Sequence, residues 1–489
     1  MARYRFYLFL ILLLGAGLAQ AQTLSVSEAE KISSAFLNYR ILGKNNTGVL
    51  VYKHRKDREL IETYDDNMAL VRRKTLDMQH QPAESVNVLL MADGSLIHFY
   101  VYKSNKVHYL EAQLMDERLV DVGEPVVLDS VNPREDGNWD EFMLRNSEDR
   151  SKVMVFRQSF RLGQVSGIQL RLFDAALRPL WADELLMDGK DKDMTLQDAF
   201  LSNRGDVAFV QVRDKVRLRA ETYPHATLHF RPADFGLFRR QEVSGNLDVR
   251  IGELAFAWDV RNNRLVGAGF YSEAGRAYAA GVLYVATAAS GEAPTEAFNA
   301  FSPELVKNLT GRSSKKREEI PLYDIQEIIV RSDGGFMLIS EYISETSEAY
   351  EFTDYDPYYG GYRTSTRYIN YHEYEDILLL MMEPDGTLSW EDVIRKKQVS
   401  REDHGRNSSF ALLNTRNNLF FIFNEDISYN TNVLQYVMDT KGSLNRTSMF
   451  NANTNEVMLV PRKARQVSGN EIVIPSIYKN SLAFVKLTY

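Results

Sequence analysis

Along most of this chain, short apolar runs alternate with brief polar turns. A run is followed by Asp, Asn, Gly or Ser and then by a second run. VNVLLMADGSLIHFYVYK, EFMLRNSEDRSKVMVFRQ, DAFLSNRGDVAFVQVRD, LAFAWDVRNNRLVGAGFYS, EIIVRSDGGFMLISEYI and SSFALLNTRNNLFFIFNED share this form, with EVMLVPRKARQVSGNEIVIPSIYK a looser seventh. Each reads as a β-hairpin, because turn formers able to take φ > 0 separate β-branched and aromatic residues. The turns recur at roughly 50 to 85 residues, a period that points to structural repeats.

A second half follows most hairpins. VHYLEAQLMDERL, GIQLRLFDAALRPLW, DILLLMMEPDGTLSW and VLQYVMDTKGSLNRT each end a strand in or near an acid, turn, and resume on a more polar strand. The unit is therefore about four strands: two central and apolar, one intermediate, one outer and polar. A single sheet of this size leaves apolar surface uncovered, whereas several packed radially cover one another. The pattern predicts an all-β fold, a β-propeller of seven four-stranded blades opening near residues 83, 139, 193, 248, 321, 402 and 453. The N-terminal strands GVLVYKHRK and ELIETYDDNMALVRRKTL are expected to complete the last blade and close the ring, which removes a free sheet edge. Six or eight blades are the alternatives, the latter if those strands form a blade of their own.

Two helices are expected among the strands. Ser27-Glu28-Ala29-Glu30 is a capping box before KISSAFLNY. Ser302-Pro303-Glu304 opens LVKNLT, with proline at a favourable first position and Gly311 as the stop. Residues 286–320 thus read as an elaborated connection between blades, within one domain spanning 22–489.

The N-terminus, MARYRFYLFLILLLGAGLAQAQ, has Arg3 and Arg5 before a short apolar core and an Ala19-Gln20-Ala21 exit. It reads as a signal peptide over 1–21, cleaved before Gln22, because the apolar core is shorter than the ~20 residues a span needs. The chain is expected to be exported to the periplasm, cell surface or exterior, with no transmembrane segment after cleavage. With no cysteine among 489 residues, neither disulfides nor thiolate-bound metals are available. The net charge of −8 is mild and mixed, which excludes the basic stripe of a nucleic-acid binder. Lys315-Lys316-Arg317 is followed at once by Glu318-Glu319 and reads as a solvated linker.

At DGGFMLISEYI and DILLLMMEPDGTLSWEDVIRKKQ the sequence resembles repeats of exported bacterial β-propellers of uncharacterised function, most strongly over 321–450. PDGTLSW also resembles the Asp-box turn of sialidase-type propellers. Asp385, Gly386 and Trp390 stand in matching places, and the box's leading serine is absent. The resemblance implies that the loops joining second to third strands open on the ligand face.

One such loop holds EFTDYDPYYGGYRTSTRYINYHEYED within a tyrosine-rich insertion over 350–376. Tyr355, Tyr358, Tyr359 and Tyr362 are the leading recognition candidates, since tyrosine offers large contact area, a polar tip and little entropy to lose. A solvated hairpin packing on its own blade is the competing reading. Asp354 and Asp356 form a DxD that is a candidate calcium-binding pair, but the spacing matches no regular calcium loop. Second-strand ends add Arg157, Arg213, Glu273, Glu341, Glu425 and Asp426 around the expected mouth. Paired carboxylates such as Glu341 and Glu425 would suit glycoside hydrolysis at the right separation. Acids also gather at strand ends simply because these are wet. There is no GxSxG, HExxH or Walker loop. The expectation is a non-enzymatic propeller, without cofactor, that recognises a protein or glycan at the cell envelope. The alternative is a glycoside hydrolase-like enzyme with carboxylates at the mouth.

Overall fold

The computed structural model describes residues 22–32, 37–55, 58–134, 137–161, 164–187, 194–212, 226–234, 236–243, 249–273, 278–288, 293–310, 319–356, 358, 361–428 and 430–489. Among the described residues the fold is all-β, with eight antiparallel sheets, each built on a path of four strands and three of them carrying an extra short strand, as in a β-propeller. The chain forms two compact units, residues 77–405 and residues up to Leu76 together with Arg406–Tyr489.

The larger unit holds five sheets, each a meander. Sheet 2 comprises Ala83–Leu90, Leu96–Ser104, Val107–Met115 and Asp121–Val131. Sheet 3 opens with Asn138–Trp139 and Met143–Asn146, continuing through Lys152–Arg161, Gln164–Asp174 and Pro179–Leu186. Sheet 4 is Thr195–Leu201, Val207–Val212, Ala226–Arg231 and Arg239–Val243; sheet 5 is Val249–Asp259, Arg264–Glu273, Gly281–Ala288 and Thr295–Ala300. Sheet 6 comprises Asp324–Val330, Phe336–Asp356, Gly361–Met382 and Leu388–Ile394, with Gln398–Arg401 as an extra partner of its third strand.

The smaller unit holds three. Sheet 1 is Leu37–Asn45, Gly48–Arg55, Arg58–Tyr64 and Leu70–Thr75; sheet 7 is Ala411–Asn414, Asn418–Asn424, Asn432–Asp439 and Leu444–Asn451. Sheet 8 joins the chain ends: Thr23–Val26 pairs with Ser481–Thr488, followed by Glu471–Tyr478 and Arg465–Gln466.

Two-sided burial explains the apolar runs. Along the second strand of sheet 3, Val153 and Val155 pack with Ile97 and Phe99 of sheet 2. The intervening Met154 and Phe156 pack with Val207 and Phe209 of sheet 4. Along sheet 4, Ala208 and Val210 turn the other way, onto Leu265, Leu283 and Val285 of sheet 5. The period of two thus sends successive side chains into two different cores. Each fully buried Phe or Val contributes about 1.5–3 kcal/mol through burial.

One turn recurs between third and fourth strands. Asp65, Asp116, Asp174 and Asp439 each accept from backbone N–H groups two and four residues on, at 2.8–2.9 Å. The fourth residue of each turn is left-handed: Met68, Leu119, Leu177 and Gly442 have φ of 63°, 64°, 62° and 82°. Glu383-Pro384-Asp385-Gly386 makes the same turn in sheet 6, with Gly386 at φ 90° and Asp385 capping Thr387 instead. The acid, short turn and leucine visible in the sequence are this device.

Three expectations change. Among the described residues the sheets number eight, not seven, which is the alternative in which the N-terminal strands form a blade of their own: those from Gly48 to Thr75 belong to sheet 1. The closing strand is the shorter Thr23–Val26. Ser27-Glu28-Ala29-Glu30 does not cap a helix among the described residues: the Ser27 hydroxyl accepts from the Phe484 N–H at 2.9 Å, and Glu30–Lys31 pairs with Ser481–Leu482. Pairing with a buried strand outweighs a cap of about 1 kcal/mol. Within 286–320, Thr295–Ala300 is the fourth strand of sheet 5, so the connection reduces to the stretch around Pro303–Thr310. That helix starts as expected, with the Ser302 hydroxyl accepting from the Leu305 N–H at 3.0 Å and Leu305 and Val306 buried.

Candidate functional site

The tyrosine-rich insertion is a continuation of sheet 6. Phe336–Asp356 and Gly361–Met382 pair without a break from Phe336↔Met382 to Asp356↔Gly361, apart from one irregularity between Glu341 and Ile343. Thr, Tyr and Phe favour extended backbone, and no Gly or Pro interrupts 336–356. The flanking strands stop short. Asp324–Val330 ends its pairing at Glu341, Leu388–Ile394 at Ile377, and Gln398–Arg401 covers only Tyr371–Tyr374. Beyond these, 348–356 and 361–369 pair with each other as a two-stranded ribbon. At ~3.3 Å per residue it extends about 30 Å.

A two-stranded ribbon alone is marginal in water. Its root supplies the anchor. Glu341 and Lys396 form an ion pair of 2.7 Å with no side-chain surface exposed. Lys396 Nζ also donates to the Tyr374 carbonyl and to Gln398 Oε1, both at 3.0 Å. Burial pulls the Lys396 ammonium below the ordinary lysine range, while the Glu341 carboxylate opposes that shift. Above this layer His372 is buried, with Nδ1 3.8 Å from Glu345 and its ring 5.3 Å from that of His404.

On the ribbon, directly opposed residues share a face. One face carries Tyr350 with Arg367, Phe352 with Ser365, and Asp354 with Arg363. The other carries Tyr368, Thr366, Thr364 and Tyr362, with Thr353 and Thr364 hydroxyls 3.2 Å apart. Tyr350, Tyr358, Tyr362 and Tyr368 are 62%, 88%, 80% and 65% exposed, and Phe352 is 40% exposed. So much aromatic surface on a narrow arm is suited to contact with another molecule.

The local settings of the remaining candidates differ. Tyr355 lies opposite Tyr362 in the ribbon register, and Asp356 opposite Gly361. Tyr359 and Arg213 lie outside the described residues. Arg157 is buried, with Nε 3.4 Å from Asp129, and its guanidinium also bonds Gln169. Arg171 meets the other Asp129 oxygen at 3.0 Å. Glu273 is exposed at the end of its strand. Glu425 accepts from Arg446 at 2.6 Å and from Asn432 at 3.2 Å, and the exposed Asp426 accepts from the Ile427 N–H at 2.7 Å. Asp354 faces Arg363, and among the described residues no group of three His, Asp or Glu side chains is arranged to hold a metal.

A polar aromatic face on sheet 2 was not anticipated. Glu111 is buried and accepts from the Tyr100 hydroxyl at 2.6 Å; His80 lies 3.8 Å away and stacks on Tyr102, which stacks on Tyr109. Burial, together with Glu111, pushes the Tyr100 phenol up. His98 Nε2 lies 3.1 Å from the Ser85 hydroxyl. Its signal in the sequence is the alternation His98-x-Tyr100-x-Tyr102 against Tyr109-x-Glu111-x-Gln113, polar at every second place in otherwise apolar strands. A cavity of ≈ 460 Å³ lies near the turns of sheets 2 and 3, but its Asp116 and Asp174 carboxylates are occupied capping their own turns.

No family model matches the chain, and no curated protein matches it. Among solved structures, the chain is similar to one from a structural and mechanistic study of two prolyl endopeptidases, at 12% identity and TM-score 0.38, covering 94% of this chain and 55% of that one. Prolyl oligopeptidase B from Galerina marginata gives 9% and 0.41, over 93% and 55%. An exo-β-1,3-galactanase from Clostridium thermocellum gives 10% and 0.26, over 82% of each chain. The chain thus spans about half the length of the prolyl peptidases, and likeness at this level assigns no activity.

Proposed function

We propose that this chain is an exported, non-enzymatic binding module that captures a protein or glycan at the cell envelope through the aromatic faces of the sheet 6 ribbon. The carrying observation is the ribbon itself: 348–356 and 361–369 extend past the flanking strands and, with Tyr358 between them, expose Tyr350, Phe352, Tyr358, Tyr362 and Tyr368. Tyrosine loses few rotamers on binding and offers both stacking area and a hydroxyl, which suits a sugar ring as well as a protein surface. The likeness of 321–450 to exported bacterial propellers and the signal-like N-terminus support the compartment. No helix among the described residues is long and apolar enough to cross a membrane. The hydrolase alternative has less support, since Glu341 is held in a buried ion pair and Glu425 is bound by Arg446.

Replacing 349–368 by an Asn-Gly turn joins Glu348 to Ile369, which already oppose each other, and keeps the buried Ile369. The shortened protein is expected to keep its melting temperature and to lose capture of partners from envelope extracts and of sugars on a glycan panel. Capture equal to that of the native protein would overturn the proposal.

A further inference from the structure

The ribbon has two edges as well as two faces, and the edges differ in charge. The 336–356 strand carries Glu341, Glu345, Glu348, Glu351, Asp354 and Asp356 and no Lys or Arg. Within the ribbon the opposing strand, 361–369, carries Arg363 and Arg367 and no acid. Outboard of the root, neither strand has a second pairing partner among the described residues. Each edge therefore presents a row of backbone N–H and C=O groups that another strand can pair. The usual devices against such pairing are proline, a bulge, a covering element or charged side chains, and charges of one sign block only a like edge. Over 348–356 and 361–369 the sequence has no proline and the register is unbroken.

From this we infer that the ribbon binds a second copy of this chain edge to edge, the acidic strand of one copy against the basic strand of the next. Charge selects this arrangement. A two-fold contact would set like edges together, and like charges directly opposed across strands are destabilising. Unlike edges bring Glu348 and Asp354 alongside Arg363 and Arg367, which share their face of the ribbon, while Glu351 adds its charge to the acidic edge from the other face. Such a contact is head-to-tail and leaves one edge free at each end, so copies add in an open row. Edge pairing leaves both faces uncovered and would line up their tyrosines in register. The inference rests on the same ribbon as the recognition reading, but uses different atoms of it.

Sedimentation velocity over a concentration series tests this. The native chain is expected to form concentration-dependent oligomers. Replacing the acidic edge (Glu348→Lys, Glu351→Lys and Asp354→Lys together) is expected to raise the association midpoint roughly tenfold or more, as is Arg363→Glu with Arg367→Glu. An equimolar mixture of the two variants restores association, and so does one variant carrying all five changes, which exchanges the edges without making them alike. These last two would not recover if the substitutions merely damaged the ribbon. A native chain that is monomeric throughout, or a five-fold variant that stays monomeric with native circular dichroism, overturns the inference. Envelope capture by the same variants is scored separately and bears only on the recognition reading, because the tyrosines are unchanged.

Discussion

Glu341 and Lys396 meet at 2.7 Å with no side-chain surface left to solvent. Desolvating two charges offsets most of their attraction, so the pair contributes little net stability, yet neither partner tolerates being left alone. Glu341→Gln is expected to lower the unfolding free energy by about 3–5 kcal/mol. Glu341→Leu with Lys396→Met is expected to recover most of that loss, because an apolar pair of similar volume asks for no compensation. Urea unfolding of the native protein, Glu341→Gln, Glu341→Leu, Lys396→Met and the double variant checks it; a coupling near zero would remove the pair from the account of the ribbon's root. The sequence shows Glu341 as an acid at a strand end, where acids are commonly wet. It does not show the distant Lys396 that makes the site dry. The same limit applies to Leu119 and Leu177, which take φ of 64° and 62° while buried. Left-handed backbone costs a non-glycine residue on the order of 1 kcal/mol, less than burying a leucine returns. From the sequence the turn is legible, but why leucine and not glycine fills it depends on the neighbouring sheet.

At the scale of elements, the third strand of sheet 1 carries Glu62, which is buried with Lys53 at 2.6 Å, the Tyr64 hydroxyl at 2.6 Å and Arg73 Nε at 2.6 Å. Burial alone would raise its carboxyl. The hydrogen bonds from Lys53, Tyr64 and Arg73 outweigh that and hold it below the usual glutamate range. In the same unit Glu471 is held low in the same way, with burial opposed by Lys44, Ser468 and Lys486. A depressed carboxyl gives stability that is present above the unfolded value, about 4.3, and lost as pH falls through the folded one. Unfolding free energy is therefore expected to drop as pH is lowered from about 5 toward 3. The drop should be shallower in Glu62→Gln. Denaturant titrations at fixed pH measure it, and a native profile flat across that range would refute it. The ribbon shows how far elements could be read. Its hairpin character is legible in the sequence, where Gly360-Gly361 stands between β-forming residues on both sides. Its continuity with the sheet is not, because polar outward residues on both faces look like a loop when the neighbours that stop short are unknown.

Across the whole chain, the number of sheets depended on whether the early strands from Gly48 to Thr75 served the last blade or themselves. Sheet 1 has its own core, with Ile41, Val49 and Val51 against Val473 and Phe484 of sheet 8. Those early strands are thus needed where they are, and the last sheet is completed by Thr23–Val26 against Ser481–Thr488. A strand that short escapes hydrophobic patterning, since TLSV has too few positions to show a period. Its partner strand is buried along most of its length, so losing it would expose a wet, unpaired edge on an apolar strand. Lys53, which bonds Glu30 at 2.8 Å, would lose that second carboxylate at the same time. Removing residues 22–31 is therefore expected to lower the unfolding free energy by several kcal/mol and to promote aggregation. Cutting before Gln22 leaves the strand whole and should do neither. Urea unfolding with light scattering on the two truncations separates these outcomes. Equal stability of both would mean that the first strand is an ornament on sheet 8 and that closure is supplied elsewhere.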